Sequence, residues 1–224
     1  MLNHVAYITH DTAATVEFYT KLLGMDLVAA VMDDAIPSTG DSVPYFHSFF
    51  KMSDGSTIAF FEAPELPAAA AHTHPAYNIF QHIALSVDST ATVDAWAEWL
   101  RSNDLDVIGP VDHKIIYSIY FYDPNGVRLE LTTPLDPTWN DHGENANESL
   151  REWEEVKATA RAAGRDMATV LGELTRHDRA LLPSAGAAPD DRSRSAAGRC
   201  DRAVQRPSVA RPAECRVARP GDHR

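Results

Sequence analysis

The last forty residues, 185–224, contain no Leu, Ile, Phe, Tyr or Trp, so they lack the side chains from which a protein core is built. Both cysteines of the chain, Cys200 and Cys215, lie in this segment, so no disulfide joins parts of the remaining chain and free thiols are expected. The segment carries 9 Arg against 5 acidic residues, whereas residues 1–184 carry 11 basic against 27 acidic residues. We therefore expect a disordered basic tail over 184–224.

The chain also lacks a long apolar run and a basic, apolar leader. No stretch approaches the roughly 20 apolar residues of a membrane span, and the start MLNHVAYITHD does not resemble a signal peptide. A net charge of -12 argues against a nucleic-acid surface. We expect a cytoplasmic protein without a membrane or nucleic-acid partner.

What the chain does have is a pattern that occurs twice. Residues 3–31 and 81–111 each contain a short apolar strand that opens with His, then an N-cap residue, an amphipathic helix and a second strand. Two more strand segments separated by a turn follow each unit, with SDGS in the first half and DPNG in the second. This order predicts an α+β fold of two βαβββ modules, 1–64 and 80–134, which form a cupped mixed β-sheet.

Beyond Pro134 the pattern changes. Residues 135–183 form a predicted helical extension, with helical character over 147–178 and Trp153 as one apolar anchor. We expect this helix to pack either on the core or on another subunit of a homo-oligomer.

Strand alternation places several polar side chains on one face of each module. The sets that share a face are His4, Ala6 and Ile8, then His82, Ala84 and Ser86, and Arg128, Glu130 and Thr132. Each His is followed on its face by a small Ala, which leaves room beside an imidazole. If the modules pair about a pseudo-twofold axis, His4, His82 and Glu130 converge. Two imidazoles and one carboxylate are the ligands of non-haem Fe(II) centres.

The segment VDHKIIYSIYFYDPNGVRLEL, residues 111–131, sharpens this prediction. It resembles the motif of type I extradiol ring-cleaving dioxygenases in the spacing of His113, Tyr120, the turn DPNG and Glu130. Residues 1–134 thus resemble the vicinal-oxygen-chelate superfamily, which includes glyoxalase I, bleomycin-resistance proteins and these dioxygenases. The match is to the one-domain form of the dioxygenases.

The resemblance implies a catalytic site. Glu130, His4 and His82 would hold Fe(II), or alternatively Mn(II), while Tyr120 and His113 would contact the substrate and bound oxygen. The pairing of these two requires His113 to lie in the loop before its strand. The implied reaction is cleavage of a small aromatic diol by O2. Larger relatives carry an acid/base His at the position of Ser56. A His from a neighbouring segment could take over this role, and the candidates are His47, His72 and His74. We predict His74 as the acid/base residue.

Two alternatives remain open. A glyoxalase-I-like lyase or isomerase, with Ni(II) or Zn(II), needs a fourth ligand in the first module. Alignment of the two halves places Phe60 or Ala59 opposite Glu130 there, and Glu62 reaches the position only after a shift of two or three residues. The second alternative is a non-enzymatic small-molecule-binding protein of the bleomycin-resistance kind. Fold alone does not separate these options.

Overall fold

The structure, a computed structural model, describes residues 2–64, 66–67, 72 and 74–173. The chain divides into two compact units, the first reaching Asp136 and the second beginning at Pro137. The predicted tail over 184–224 lies outside the described residues. No helix in the described part of the chain is long and apolar enough to cross a membrane.

The first module is a four-stranded mixed sheet with one helix. Its elements are β1 (His4–Thr9), α1 (Thr12–Glu17), which continues as a π-helical turn (Phe18–Leu22), β2 (Asp26–Asp33), β3 (Tyr45–Lys51) and β4 (Thr57–Glu62). The strand order is β1-β4-β3-β2, and β1 runs parallel to β4. The other neighbours are antiparallel.

The second module repeats this arrangement. A short helix, α2 (Ala76–Phe80), leads into β5 (His82–Ser86), α3 (Thr90–Ser102), β6 (Ile108–Asp112), β7 (Ile116–Tyr122) and β8 (Arg128–Pro134). The order is β5-β8-β7-β6, again with one parallel pair, β5 and β8. The predicted α+β class and the two βαβββ modules are confirmed, and the cup consists of two four-stranded mixed sheets.

The predicted caps and turn explain where these elements begin and end. Asp11 accepts the backbone N–H of Ala14 at the start of α1, and Ser89 accepts that of Thr92 at the start of α3, which satisfies donors that a helix leaves unpaired. In DPNG, Gly126 has φ +79° and donates its N–H to Asp123 O at 3.1 Å. The turn therefore closes the β7–β8 hairpin.

The two modules share one apolar core. In β5 alternate residues point toward it, since Ile83 and Leu85 pack against the core while His82 is exposed. Trp96 of α3 is 1% exposed, and complete burial of such a side chain contributes about 2–3 kcal/mol to stability. Phe18 of the first module contacts Phe121 of the second, with ring centres 6.4 Å apart.

Polar contacts also join the modules. Tyr19, which is fully buried, donates its hydroxyl to Asp123 Oδ2 at 3.0 Å. Asn125 Nδ2 donates to Thr15 Oγ1 at 3.1 Å. The DPNG turn therefore has a structural role between the modules in addition to closing its hairpin.

The second unit contains a 3₁₀ turn (Trp139–Asp141) and α4 (Gly143–Ala162). This helix begins before the predicted position of 147 and is interrupted at Gly164, whose φ is +62°. Residues 167–173 are helical again. Trp153 is half-buried, and the Lys157 ammonium lies 5.3 Å from its ring centre.

Candidate functional site

Four of the predicted site residues form a connected series on the second module, on the sheet face opposite α3. His82 Nε2 lies 2.8 Å from Glu130 Oε2. The Tyr120 hydroxyl donates to Glu130 Oε1 at 3.2 Å and lies 2.8 Å from His113 Nε2. A phenol has one hydrogen to donate, so in this arrangement His113 Nε2 carries the proton that Tyr120 accepts.

The strand register explains why these side chains meet. Glu130 lies opposite Ala84 of β5 and opposite Tyr120 of β7. The small Ala84 leaves space into which His82, two residues earlier on the same face, reaches Glu130. His113 lies in the turn between β6 and β7, where its backbone N–H donates to Ile116 O at 2.9 Å. The loop position required for its pairing with Tyr120 is therefore present.

The electrostatics of the series follow from burial. Glu130 is 2% exposed. Burial, followed by the negative charge of Glu130, raises the pKa of Tyr120, while a hydrogen bond with Ser118 and the charge of Arg128 oppose this rise. Tyr120 is therefore a neutral phenol at neutral pH and acts as a hydrogen-bond donor to the carboxylate.

His4 lies apart from this series. It is exposed on β1 of the first sheet, where its Nδ1 is 2.6 Å from Asn3 Oδ1 and its ring centre is 6.4 Å from that of His47. Among residues 2–64, 66–67, 72 and 74–173, no three His, Cys, Asp or Glu side chains are grouped so that they could hold a metal ion. The structure thus brings together two of the three predicted ligands, His82 and Glu130.

The donor chemistry of this pair suits a divalent metal. An imidazole nitrogen and a carboxylate oxygen already converge, and both are ligands that Fe(II) and Mn(II) accept. The second carboxylate oxygen is held by Tyr120, an outer hydrogen bond of the kind that orients metal ligands. The pair would therefore hold a metal with only the third ligand still to be supplied.

The first module presents a different face, lined by aromatic rings. His47 is 8% exposed, and its ring stacks on Phe61 with centres 3.5 Å apart and an interplanar angle of 20°. Phe49 lies 4.0 Å from His47 by ring centre, and Tyr45 lies 5.2 Å from Phe61. Burial, followed by the nearby His4, lowers the pKa of His47, so this imidazole is neutral at neutral pH. Its Nε2 is buried without a hydrogen-bond partner.

The register also resolves which residue of the first module matches Glu130. Ala59 lies opposite Ala6 just as Glu130 lies opposite Ala84, so the matching side chain is a methyl group. Glu62 does not take its place, because its Oε2 accepts the Thr12 N–H at the start of α1 at 2.9 Å. The Glu62 side chain therefore binds the start of α1 and does not lie on the cup face.

His74 and Ser56 lie outside the series as well. His74 Nδ1 accepts the backbone N–H of Ala76 at 3.1 Å, at the start of α2. Ser56 is buried and donates its hydroxyl to Asp54 Oδ1. Neither residue contacts Glu130 or Tyr120 in the described contacts, and of the acid/base candidates His47 is the one placed on a cup face.

Arg128 is the residue of the site to which sequence reasoning gave no role. Its guanidinium carbon lies 4.3 Å from the centre of the Tyr120 ring, and it is buried at 9% exposed. The signal that identifies it was present in the sequence, since Arg128 shares the face of Glu130 by alternation. Its burial could not be read from alternation alone.

The two βαβββ modules define the fold class, and comparison with known proteins identifies the family. Residues 1–131 match the model of the Glyoxalase/Bleomycin resistance protein/Dioxygenase superfamily. The chain belongs to this superfamily.

Individual relatives are more distant. The metallothiol transferase FosB of Staphylococcus epidermidis is 27% identical over 134 residues, which cover 59% of this chain and 80% of the relative. The metapyrocatechase of Pseudomonas sp. (strain CF600) is 27% identical over 143 residues, which cover 62% of this chain but only 41% of the relative. Among solved structures, a glyoxylase/bleomycin resistance protein/dioxygenase domain from Frankia sp. EAN1pec has 17% identity and a TM-score of 0.49, covering 60% of this chain and 97% of that domain.

Proposed function

We propose that this chain is an Fe(II)-dependent extradiol-type dioxygenase that cleaves a small catecholic compound with O2. The observation that carries the proposal is the continuous series from His113 through Tyr120 and Glu130 to His82. Of these, His113, Tyr120 and Glu130 stand at the motif positions of the dioxygenases that the sequence resembles, and His82 stands at the first-strand position of the second module. A metal bound at His82 and Glu130 would supply a Lewis-acid site at which the two oxygens of a catechol and O2 meet.

The chain's own residues would manage the protons of this reaction. Cleavage of a catechol would require removal of its hydroxyl protons, and an imidazole is a suitable acceptor for a proton. His113 lies at the outer end of the series and is exposed, so a proton taken there can pass to solvent. Tyr120 is a neutral phenol whose single hydrogen is donated to Glu130 in this structure, and it would redirect that hydrogen to an oxygen of the substrate.

The aromatic face of the first module supports an aromatic substrate. Tyr45, Phe49 and Phe61 surround His47, and offset or edge contacts with such rings stabilise a planar ligand by about 0.5–1.5 kcal/mol each. His4 lies at the edge of this face, 5.8 Å from Phe49 by ring centre.

His4 is also the proposed third ligand, but within one chain it lies apart from the His82–Glu130 pair. The faces that carry His4 and His82 are both exposed. We therefore propose a homo-oligomer in which His4 of one copy completes the centre formed by His82 and Glu130 of another.

The proposal is tested with anaerobically purified protein loaded with Fe(II) and offered a panel of catechols. At least one catechol is expected to consume O2 in proportion to a coloured ring-fission product. Absence of O2 uptake on every catechol, with turnover in one of the assays below, would overturn it.

A second candidate, metal-dependent thiol transfer, is favoured by one observation. The match to FosB covers 80% of that relative, against 41% of the metapyrocatechase. Transfer of a low-molecular-weight thiol to an electrophile by protein loaded with Mn(II), without O2 uptake, would support this function.

A glyoxalase-like isomerase is disfavoured because Glu62 accepts a hydrogen bond from the Thr12 N–H. An assay of the methylglyoxal–glutathione hemithioacetal with Ni(II) or Zn(II) tests this alternative.

A further inference from the structure

The cations of the first 136 residues are distributed unevenly. This segment contains five Lys and Arg residues, and the structure describes all of them. Lys21, Lys51, Arg101 and Lys114 are exposed, whereas Arg128 is buried. An acidic domain thus places its one buried cation on the face that carries Glu130.

The contacts of Arg128 do not include an acidic group. Its Nη1 donates to Ile79 O near the C-terminus of α2, and its guanidinium covers the Tyr120 ring. Its Nε is buried without a hydrogen-bond partner. Among the described residues no carboxylate lies within ion-pair distance of Arg128, although Glu130 is only two positions away.

A buried charge without a counter-charge is costly. The contact with Tyr120 and the Ile79 carbonyl offset part of this cost, but the buried Nε has no partner among the described residues. A guanidinium has five N–H groups arranged as a fork that matches a carboxylate or a phosphonate. The missing partner therefore has the chemistry of an oxyanion.

The position of Arg128 indicates where this oxyanion would lie. Arg128 is opposite His82 in the β5–β8 register and opposite Tyr122 in the β7–β8 register. A group bound to its free N–H donors would lie beside the His82–Glu130 pair. Glu130 itself would be occupied by the metal, so its charge would not repel the ligand.

We propose that Arg128 binds an oxyanion substituent of the ligand, so that the substrate class is an anionic compound and not a neutral one. The inference rests on the proposed function for the location of the ligand. The oxyanion has two sources, the carboxylate of an aromatic diol or the phosphonate of a small aliphatic molecule. The purely structural alternative is that Arg128 only fastens α2 to β8, in which case it would affect neutral and anionic ligands equally.

Equilibrium binding to the full chain, loaded anaerobically with Fe(II), separates these cases. One arm compares protocatechuate, a catechol with one carboxylate, with its neutral amide. The other compares propylphosphonate with its neutral dimethyl ester. In at least one arm the anion is expected to bind about tenfold to a hundredfold more tightly than its neutral partner.

Substitution of Arg128 should remove the preference for the anionic ligand but leave the binding of the neutral ligand. In Arg128→Gln the anion-to-neutral ratio should fall close to one, while the neutral ligand binds within about threefold of the wild-type affinity. Arg128→Lys, which keeps the charge but loses the fork, should retain part of the preference and serves as the measurement if the Gln variant does not fold. The exposed Arg101, whose partners among the described residues are backbone carbonyls, is the matched control, and Arg101→Gln should keep the full ratio.

The outcomes distinguish this inference from the proposed function. A wild-type ratio near one in both arms, or a ratio unchanged in Arg128→Gln and Arg128→Lys, would contradict it, even if catechols are cleaved. An Arg128-dependent preference in the phosphonate arm alone would uphold the oxyanion site and reject the aromatic diol.

Discussion

Replacement of Asp123 should reveal how much the DPNG turn contributes to the junction of the two modules. Asp123 is 5% exposed and accepts the backbone N–H groups of Asn125 and Val127, each at 2.8 Å. It also accepts the hydroxyl of the fully buried Tyr19. Asp123→Ala leaves these donors unpaired, and an unsatisfied buried donor costs about 1–3 kcal/mol. We expect the free energy of unfolding to fall by about 3 kcal/mol.

Asp123→Asn should behave differently, because the amide oxygen still accepts from the turn while Tyr19 can rotate its hydroxyl. Burial raises the pKa of Asp123 in the folded protein, although its hydrogen bonds oppose the shift. A folded-state pKa above the unfolded value means that this group's stabilisation is present below the unfolded pKa. It is lost as the pH rises through the folded pKa. The stability of Asp123→Asn relative to the wild type should therefore increase from about pH 4 toward neutral pH.

Denaturant unfolding followed by Trp fluorescence across this pH range measures both effects. Asp112 is the matched control, since it is exposed and accepts one turn N–H, from Lys114. Asp112→Asn should lower the free energy of unfolding by much less than Asp123→Ala does. A loss below about 1 kcal/mol in Asp123→Ala, or a pH-independent difference for Asp123→Asn, would refute the reasoning.

Two further predictions concern the site and the sheet beside it. Tyr120→Phe should slow turnover by roughly tenfold to a thousandfold, because it removes one hydrogen bond and one proton-handling group. Its metal content should stay unchanged, and a loss of metal in proportion to the loss of turnover would instead assign Tyr120 to positioning the metal ligands. Gly109→Ala should lower the free energy of unfolding by about 2 kcal/mol or more, because φ is +104° and a Cβ would lie 2.9 Å from Ser118 O. Gly126→Ala, with positive φ but nothing within 4 Å, should cost about 1 kcal/mol, and a thermal-melt difference of opposite sign would contradict this explanation.

Much of the fold was predictable because its signals are local. Strand alternation placed His82 on the exposed face and Ile83 on the buried one. An N-cap residue was predicted before each long helix, as Asp11 in the first module and as Asp88 or Ser89 in the second, and the structure has Asp11 and Ser89. The turn DPNG closes its hairpin. Helix α2 was not predicted, because a helix of five residues carries too little periodicity to detect within a segment rich in Ala, Pro and His.

The site was predictable only within one module. The contact of Glu130 with His82 follows from alternation and register between neighbouring strands. Whether His4 joins them depends on how modules, or copies of the chain, are arranged, and strand patterns carry no information on that. The burial of Arg128 and the link from Asp123 to Tyr19 also depend on tertiary packing.

The proposed metal centre is tested most directly by co-expression of His4→Ala and Glu130→Ala chains. Each variant alone should fold but lose metal and ring cleavage. If His4 of one copy completes the centre of another, mixed oligomers contain one intact site, formed by His4 of the Glu130→Ala chain with His82 and Glu130 of the His4→Ala chain. Iron content and O2 uptake should then return in the purified mixed oligomer. Full iron occupancy in Glu130→Ala alone, or no recovery in the mixed oligomer, would contradict a centre shared between copies.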